Sequence, residues 1–357
     1  MSGNQRMPLL DGLRGAAVLC VLAEHFSGVP AKFFGFGYYG VDLFFVLSGF
    51  LITRILLTSK HSCFSSDLWR FVGRRTMRIL PPYYMTLVLI LLLDFQQARD
   101  YWLSLATWTF NYYCLDGGPF WLWSLSVEEQ FYLIWPILVL LCRCRIRFLV
   151  LVTTGLCLAS YSQLIWNIMP SIEKFNYTGL PNRMSSLCVG ALGAVWFVNG
   201  SYRKVLTSVG VELAGLAIVL WGLLALRGTF FQLKSYQFPL IAAGSLILIM
   251  KCAAGEVRLG WLKRMLGSVW MIELGTVSYG IYLLHPPVGE FLRSEVLGPI
   301  WHGLPFESLG PLSRLRWHSW VLSFPLCSGC SYLVAKTSWV LMERRTLSLK
   351  ERWFPAS

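Results

Sequence analysis

Apolar residues in this chain come in long runs, with few charges inside them. The densest runs are residues 16–22, 41–52, 87–93, 134–141, 148–159, 213–226 and 239–250. A helix needs about 20 mostly apolar residues to cross the hydrocarbon core of a bilayer. Most of these runs reach that length once their flanking Gly, Ser, Thr, Trp and Tyr are included, and the two aromatic types favour the membrane interface. The pattern predicts ten helices, near 9–29, 38–58, 79–96, 119–141, 148–169, 183–199, 210–226, 236–252, 267–292 and 317–341. The stretch 100–114 is apolar and aromatic but short, so it is expected as an interfacial or re-entrant piece. The fold class that follows is all-α, a polytopic integral membrane helical bundle. No low-complexity linker, internal repeat or soluble appendage interrupts it, so residues 1–357 read as a single membrane-embedded domain.

Composition agrees with the pattern. Of 357 residues, 55% are hydrophobic and 14% charged, against a usual charged share of about 25%. A soluble domain of this size needs more polar surface than that. Charge placement then sets the expected orientation. With the N-terminus in the cytoplasm, most of the 31 lysines and arginines fall on the inner side, among them Arg70, Arg74, Arg143, Arg145, Arg147, Arg344 and Arg345, as the positive-inside rule requires. Both termini are therefore expected inside. The net charge of +13 reflects this bias and anionic headgroups, and gives no case for nucleic-acid binding. Asp11 and Arg14 interrupt the first helix, which excludes a secretory signal. The ten cysteines are scattered without zinc-ligand spacing and read as small packing residues, so no metal is expected.

Ionisable residues inside predicted spans carry more information, because each is costly there and usually faces an internal cavity. Arg14 and His25 are eleven residues apart, close to three turns, so they share a helix face about 16 Å apart along the axis. Arg14 then lies near the cytoplasmic surface and His25 near the outer one. An imidazole at that depth is able to take a proton from a hydroxyl; the bland alternative is a structural histidine bonded to a neighbouring helix. Asp42 enters about one turn into the second helix at a matching depth, where it is expected to orient His25. Glu128 and Glu129 are adjacent near the middle of the fourth helix, and His285 precedes Pro286 and Pro287 towards the outer end of the ninth. A shared cavity explains this set better than separate interhelical hydrogen bonds.

The inner half has a different character. The stretch Gly-Arg-Arg-Thr-Met-Arg at 73–78 is expected where a cytoplasmic loop runs into the third helix. Arg75 and Arg78, three apart, share a helical face. Guanidinium groups match phosphate oxygens in a two-donor fork, so this pair, with Arg14, suits a phosphorylated co-substrate at the cytoplasmic mouth. Simple positive-inside anchoring explains Arg70 and Arg74 fully and competes evenly for the other two.

Five blocks then occur in order: Asp-Gly-Leu-Arg-Gly at 11–15 with His25 beyond it, Gly-Val-Asp-Leu-Phe-Phe-Val-Leu-Ser-Gly-Phe-Leu at 40–51, and Arg-Thr-Met-Arg-Ile-Leu-Pro at 75–81 come first. Trp-Ser-Leu-Ser-Val-Glu-Glu-Gln-Phe-Tyr at 123–132 and Val-Ser-Tyr-Gly-Ile-Tyr-Leu-Leu-His-Pro at 277–286 complete the set. Together they resemble the acyltransferase-3 family of integral membrane acyltransferases over most of the chain. The resemblance implies a ten-helix bundle in a bacterial inner membrane that moves an acyl group, acetyl above all, from cytoplasmic acyl-CoA to a hydroxyl. The acceptor is a glycan, a glycolipid or a glycosylated small molecule; some members acylate macrolide antibiotics. It assigns function to Arg14, His25, Arg75 and Arg78, and matches Glu129 to the family's helix-4 carboxylate. Ser48 and Tyr132 lie inside the blocks and join Glu128 and His285 as further cavity candidates.

The expected scheme has Arg75, Arg78 and Arg14 holding the CoA phosphates while His25, supported by Asp42 or Glu129, takes the acceptor's proton. Direct transfer and a transient acyl-histidine use the same residues, and both remain open. Two departures stand out. Glu343 is followed by Arg344 and Arg345 where the family often has Glu-x-Pro, which makes the end near 343–357 the least secure part. Many relatives also carry a C-terminal esterase-like domain, which is not expected in a chain stopping at Ser357. A transporter or channel with charges along its path and a lipid- or glycan-binding module of the same fold are the competing readings. The first gives no reason for an arginine pair beside a helix-1 histidine, and the intact His25 argues against the second.

Overall fold

The computed structural model describes residues 7–27, 36–59, 63–166, 178–225, 237–299 and 322–354, among which every regular element is helical. In chain order these are α1 (Pro8–Phe26), α2 (Phe36–Leu57), α3 (Phe64–Leu92), the short α4 (Trp102–Ala106), α5 (Trp123–Cys142), α6 (Ile146–Trp166) and α7 (Leu180–Val198). There follow the short α8 (Arg203–Leu206), α9 (Val209–Ala225), α10 (Gln237–Ala254), α11 (Gly260–Leu266), α12 (Val269–Phe291), α13 (Phe324–Ser338) and α14 (Arg344–Trp353). Each of the ten expected segments holds a helix among the described residues; the ends of the first, fifth and seventh and the starts of the eighth and tenth lie outside them. By length and composition, four helices among the described residues are long and apolar enough to cross a membrane: α2, α5, α6 and α10. A fifth span results if α3 and the bent segment after it are counted as one.

The main departure from expectation is α3. The arginine-bearing stretch, expected where a loop runs into the third helix near residue 79, lies wholly within the first half of a 29-residue helix that starts at Phe64. Leu68, Phe71 and Ile79 explain this, since their spacing gives the stretch an apolar stripe that packs into the core. Because the helix starts at Phe64, Pro81 and Pro82 lie in its interior. Thr86 Oγ1 donates to the Pro82 carbonyl at 2.9 Å. The helix ends where Asp94 turns left-handed (φ 48°), and the chain bends by 101° into a 3₁₀ segment, Phe95–Tyr101, and α4. The interfacial or re-entrant piece expected at 100–114 falls in this region, a broken span or a re-entrant loop. Aromatic packing holds it down: the Tyr83 and Trp108 rings stack 3.6 Å apart, and Tyr83 donates its hydroxyl to the Leu105 carbonyl at 2.8 Å.

Two close helix crossings frame the interior. A side chain at Gly49 of α2 would collide with the Leu187 backbone of α7, and one at Gly190 of α7 with the Val46 carbonyl. On the other side Gly275 of α12 sits against the Asp11 carbonyl of α1. Lipid gives little hydrophobic drive between helices, so tight van der Waals contact between small residues supplies much of the association. With α1 and α2 also packed on each other, these crossings hold α1, α2, α7 and α12 in fixed order, while α3 and α5 close the remaining side.

Candidate active site

The interior between α1, α2, α3, α5 and α12 encloses a cavity of about 90 Å³. Its charged lining comes from three helices: Arg14 of α1, Arg75 and Arg78 of α3, and Glu128 and Glu129 of α5. Ser48, Tyr132, Tyr279 and Tyr282 complete the polar wall. Seven residues singled out from the sequence thus meet in one place, although they come from positions spread over more than a hundred residues of chain.

Their local contacts follow from what each helix offers. The Arg75 guanidinium lies over the Tyr132 ring, 4.1 Å from its centroid, where the ring's negative face holds a cation. Arg75 Nε is buried with no hydrogen-bond partner among the described residues. Ser48 Oγ donates to Glu128 Oε1 at 2.7 Å and lies 3.0 Å from the Tyr132 hydroxyl, tying α2 to α5. Arg14 Nη1 donates to Asp11 Oδ1 at 2.8 Å, an i,i+3 pair one turn earlier on α1. On the α12 side the Tyr282 hydroxyl donates to the Trp121 carbonyl at 2.8 Å and lies 2.5 Å from Ser124 Oγ. Tyr279 donates to the Ile79 carbonyl at 3.3 Å. One end of the site is therefore strongly cationic, with two carboxylates and several hydroxyls beside it.

The histidines form a second group. His25 is exposed near the C-terminal end of α1, outside the cavity lining. Its ring meets the buried His285 ring edge-on, with centroids 4.7 Å apart and an interplanar angle of 76°. His285 in turn stands 5.8 Å from the Tyr282 ring, so a ring-to-ring path runs from His25 through His285 to the cavity wall. Arg293, just past α12, donates to the His25 carbonyl and lies over the Phe26 ring.

Asp42 is the main correction to the expected site. It does not orient His25. Its Oδ1 accepts from Arg183 Nη1 at 3.3 Å and from Ser186 Oγ at 3.0 Å, both on α7. The reason is rotational: Gly49, two turns on, brings that face of α2 against α7, and Asp42 lies on the same side. Arg183, in the first turn of α7, is fully buried there and lies over the Phe238 ring at 4.2 Å. Glu129 belongs to the arginine end of the cavity. The residue the structure brings to His25 is His285.

Sequence reasoning gave no role to Asp11, Tyr279, Tyr282 or Glu343. Asp11 was legible from its i,i+3 spacing to Arg14, and the tyrosines belong to the block that contains His285. Glu343 is buried, with Oε1 lacking a hydrogen-bond partner among the described residues and lying 3.3 Å from where a Gly280 side chain would begin. Its surroundings come from chain folding; the sequence marked it only by its place where the family often has Glu-x-Pro.

A family model described as "Acyltransferase domain" matches residues 8–336. A peptidoglycan O-acetyltransferase of Listeria monocytogenes is 31% identical over 313 residues, covering 79% of this chain and 49% of that protein. An O-acetyltransferase of Staphylococcus aureus is 25% identical over 322 residues, covering 82% of this chain and 52% of its own length. The chain thus spans about half the length of the curated relatives it matches. No solved structure matches it.

Proposed function

We propose that this chain, which belongs to the acyltransferase-3 family, transfers an acetyl group from cytoplasmic acyl-CoA to a hydroxyl of a peptidoglycan-like glycan. The observation that carries the proposal is the convergence of Arg14, Arg75 and Arg78 from two helices on one cavity. Anchoring at a membrane surface needs positive charge but gives no reason for three guanidiniums to turn inward. A pyrophosphate and a ribose phosphate at the cytoplasmic mouth supply the anionic partner. The glycan acceptor is suggested by the peptidoglycan O-acetyltransferase of Listeria to which the chain is similar.

In this reading all ten predicted helices cross the inner membrane of a bacterium as one domain, with both termini inside. The arginines bind the donor phosphates, and the pantetheine arm runs outward past Ser48 and Tyr132 towards His25. His25 takes the proton of the acceptor hydroxyl, and the oxygen attacks the thioester carbonyl. The carbon–sulfur bond breaks, and the CoA thiolate leaves with the proton returned by the imidazolium. An acyl-histidine route uses the same groups in two steps, with the acetyl first on the His25 nitrogen and then on the acceptor oxygen. The competing transport reading offers no purpose for three guanidiniums gathered on one cavity wall.

The test is incubation of the full chain, purified in nanodiscs, with radiolabelled acetyl-CoA and a muro-oligosaccharide. Expected is label on the glycan and release of free CoA. Absence of both binding to acetyl-CoA and transfer from it, in folded protein, overturns the proposal.

A further inference from the structure

Pro286 is the starting point. A proline has no backbone N–H, so the carbonyl four residues earlier in α12, that of Tyr282, loses its helical donor. His285 fills the gap. Its Nδ1 lies 2.9 Å from the Tyr282 carbonyl oxygen and 3.2 Å from that of Ile281. Carbonyl oxygens only accept, so Nδ1 carries the hydrogen. In the neutral ring Nε2 is then a bare lone pair. That Nε2 is buried and has no hydrogen-bond partner among the described residues, while the ring as a whole is fully buried against His25.

From this geometry we infer that His285 is the positioning residue for His25: a turn of the adjacent His25 ring, which leaves Nε2 unpartnered as it stands, gives that Nε2 a hydrogen bond from one His25 ring nitrogen in the reacting protein and leaves the other free to act on the acceptor hydroxyl. The helix backbone thus sets the tautomer of His285, and His285 sets that of His25. This is the supporting place that the sequence suggested for a carboxylate, filled by a neutral ring that stays inexpensive to bury. When His25 takes up a proton, the same contact becomes a charge-assisted hydrogen bond and stabilises the imidazolium. The charged groups near His25 among the described residues are consistent with a need for this. Arg293 donates to the His25 carbonyl, a cation and not a counter-ion, while Glu24, one residue back on α1, accepts from the Gly37 amide at 3.4 Å and points to α2. In the last turn of α12 Glu290 accepts from Gln96 Nε2 at 3.2 Å.

The inference rests on the catalytic role proposed for His25, so its test has one arm that does not need turnover. Three full-length proteins are compared: wild type, His285→Leu, which removes the acceptor, and His285→Gln, which restores one at similar reach. The first arm follows the rate of His25 modification by diethyl pyrocarbonate against pH, read by mass spectrometry of its peptide. Expected is a midpoint moved to lower pH in His285→Leu and kept near wild type in His285→Gln, because only the former loses the group that stabilises protonated His25. The second arm measures acetyl transfer. Loss of one hydrogen bond to a charged group predicts a kcat lower by roughly 10- to 100-fold in His285→Leu, with KM for acetyl-CoA unchanged and the acid limb of the pH–rate profile displaced the same way. An unmoved midpoint in His285→Leu overturns the inference, as does equal impairment of both variants without any change in pH dependence. A moved midpoint in a protein that transfers no acetyl group supports the histidine pair and removes the proposed reaction instead.

Discussion

Arg75 of α3 rests 4.1 Å above the Tyr132 ring of α5, and this contact turns a guanidinium that sequence alone could place at a membrane surface into the wall of a cavity. Burying a cation against an aromatic face leaves its N–H groups aimed at whatever enters. Replacing Arg75 or Arg78 by lysine keeps the charge but removes the planar fork. Each charge-assisted contact to phosphate is worth about 1.5–3 kcal/mol, so acetyl-CoA affinity is expected to fall about tenfold or more in Arg75→Lys and in Arg78→Lys. Membrane insertion is expected to survive, because lysine satisfies the positive-inside rule equally. Acetyl-CoA binding by the purified variants checks this; unchanged affinity in both returns the arginines to anchoring.

His25 stands at the far end of α1 from Arg14, with its own carbonyl held by Arg293. His25→Ala is expected to lose transfer by about 10²–10⁴-fold, the usual worth of general-base assistance, while still binding acetyl-CoA. Binding and turnover measured on one preparation separate these effects. Turnover close to wild type in folded His25→Ala sinks the proposed chemistry.

Asp42 and Arg183 are each about 1% exposed, so removing one leaves the other's charge buried. Breaking such a pair typically costs about 3–5 kcal/mol. Asp42→Ala is therefore expected to lower the thermal midpoint in detergent markedly. The fraction that remains folded should keep the wild-type kcat, because Asp42 bonds to α7 and not to His25. A kcat defect with normal stability would return Asp42 to the catalytic group.

The crossing of α2 and α7 gives a packing prediction. At Gly190 any side chain meets the Val46 carbonyl and the Phe50 amide, which are backbone and unable to swing aside. Gly190→Leu is expected to destabilise by more than the roughly 1–3 kcal/mol of ordinary overpacking, read as aggregation on extraction. Leucine at Gly155, where nothing lies within 4 Å, serves as the control and is expected to be silent.

Cys63 and Cys144 are both exposed, one at the start of α3 and the other in the turn before α6. With the termini in the cytoplasm, both face inward. A membrane-impermeant maleimide is expected to label them in inverted vesicles and not in intact cells. Labelling from outside would reverse the orientation and move the proposed donor site to the wrong side of the membrane.

Two levels of organisation separate cleanly in this chain. The long apolar runs by themselves determine that it is helical, because a segment in lipid must satisfy its own backbone hydrogen bonds. They also locate α1, α2, α5, α6, α7, α9, α10, α12 and α13 to within a few residues at most ends. Arg14, Arg75, Arg78, Glu128 and Glu129 were legible for the same reason: charge among apolar neighbours has to face an interior. What faces what was not legible, since it depends on how each helix is rotated about its axis. Rotation is settled by contacts between helices far apart in sequence, such as Gly49 against Leu187 or Gly275 against Asp11. Those contacts turned Asp42 to Arg183, carried Glu343 into the core, and set His285 beside His25. The α3 boundary was missed because its first half is amphipathic and rich in arginine, so it resembles a cytoplasmic loop until Phe71 and Ile79 find a core to bury in. A hydropathy pattern records the solvent that each segment prefers, whereas the pairing of side chains waits for the neighbours that only the folded bundle supplies.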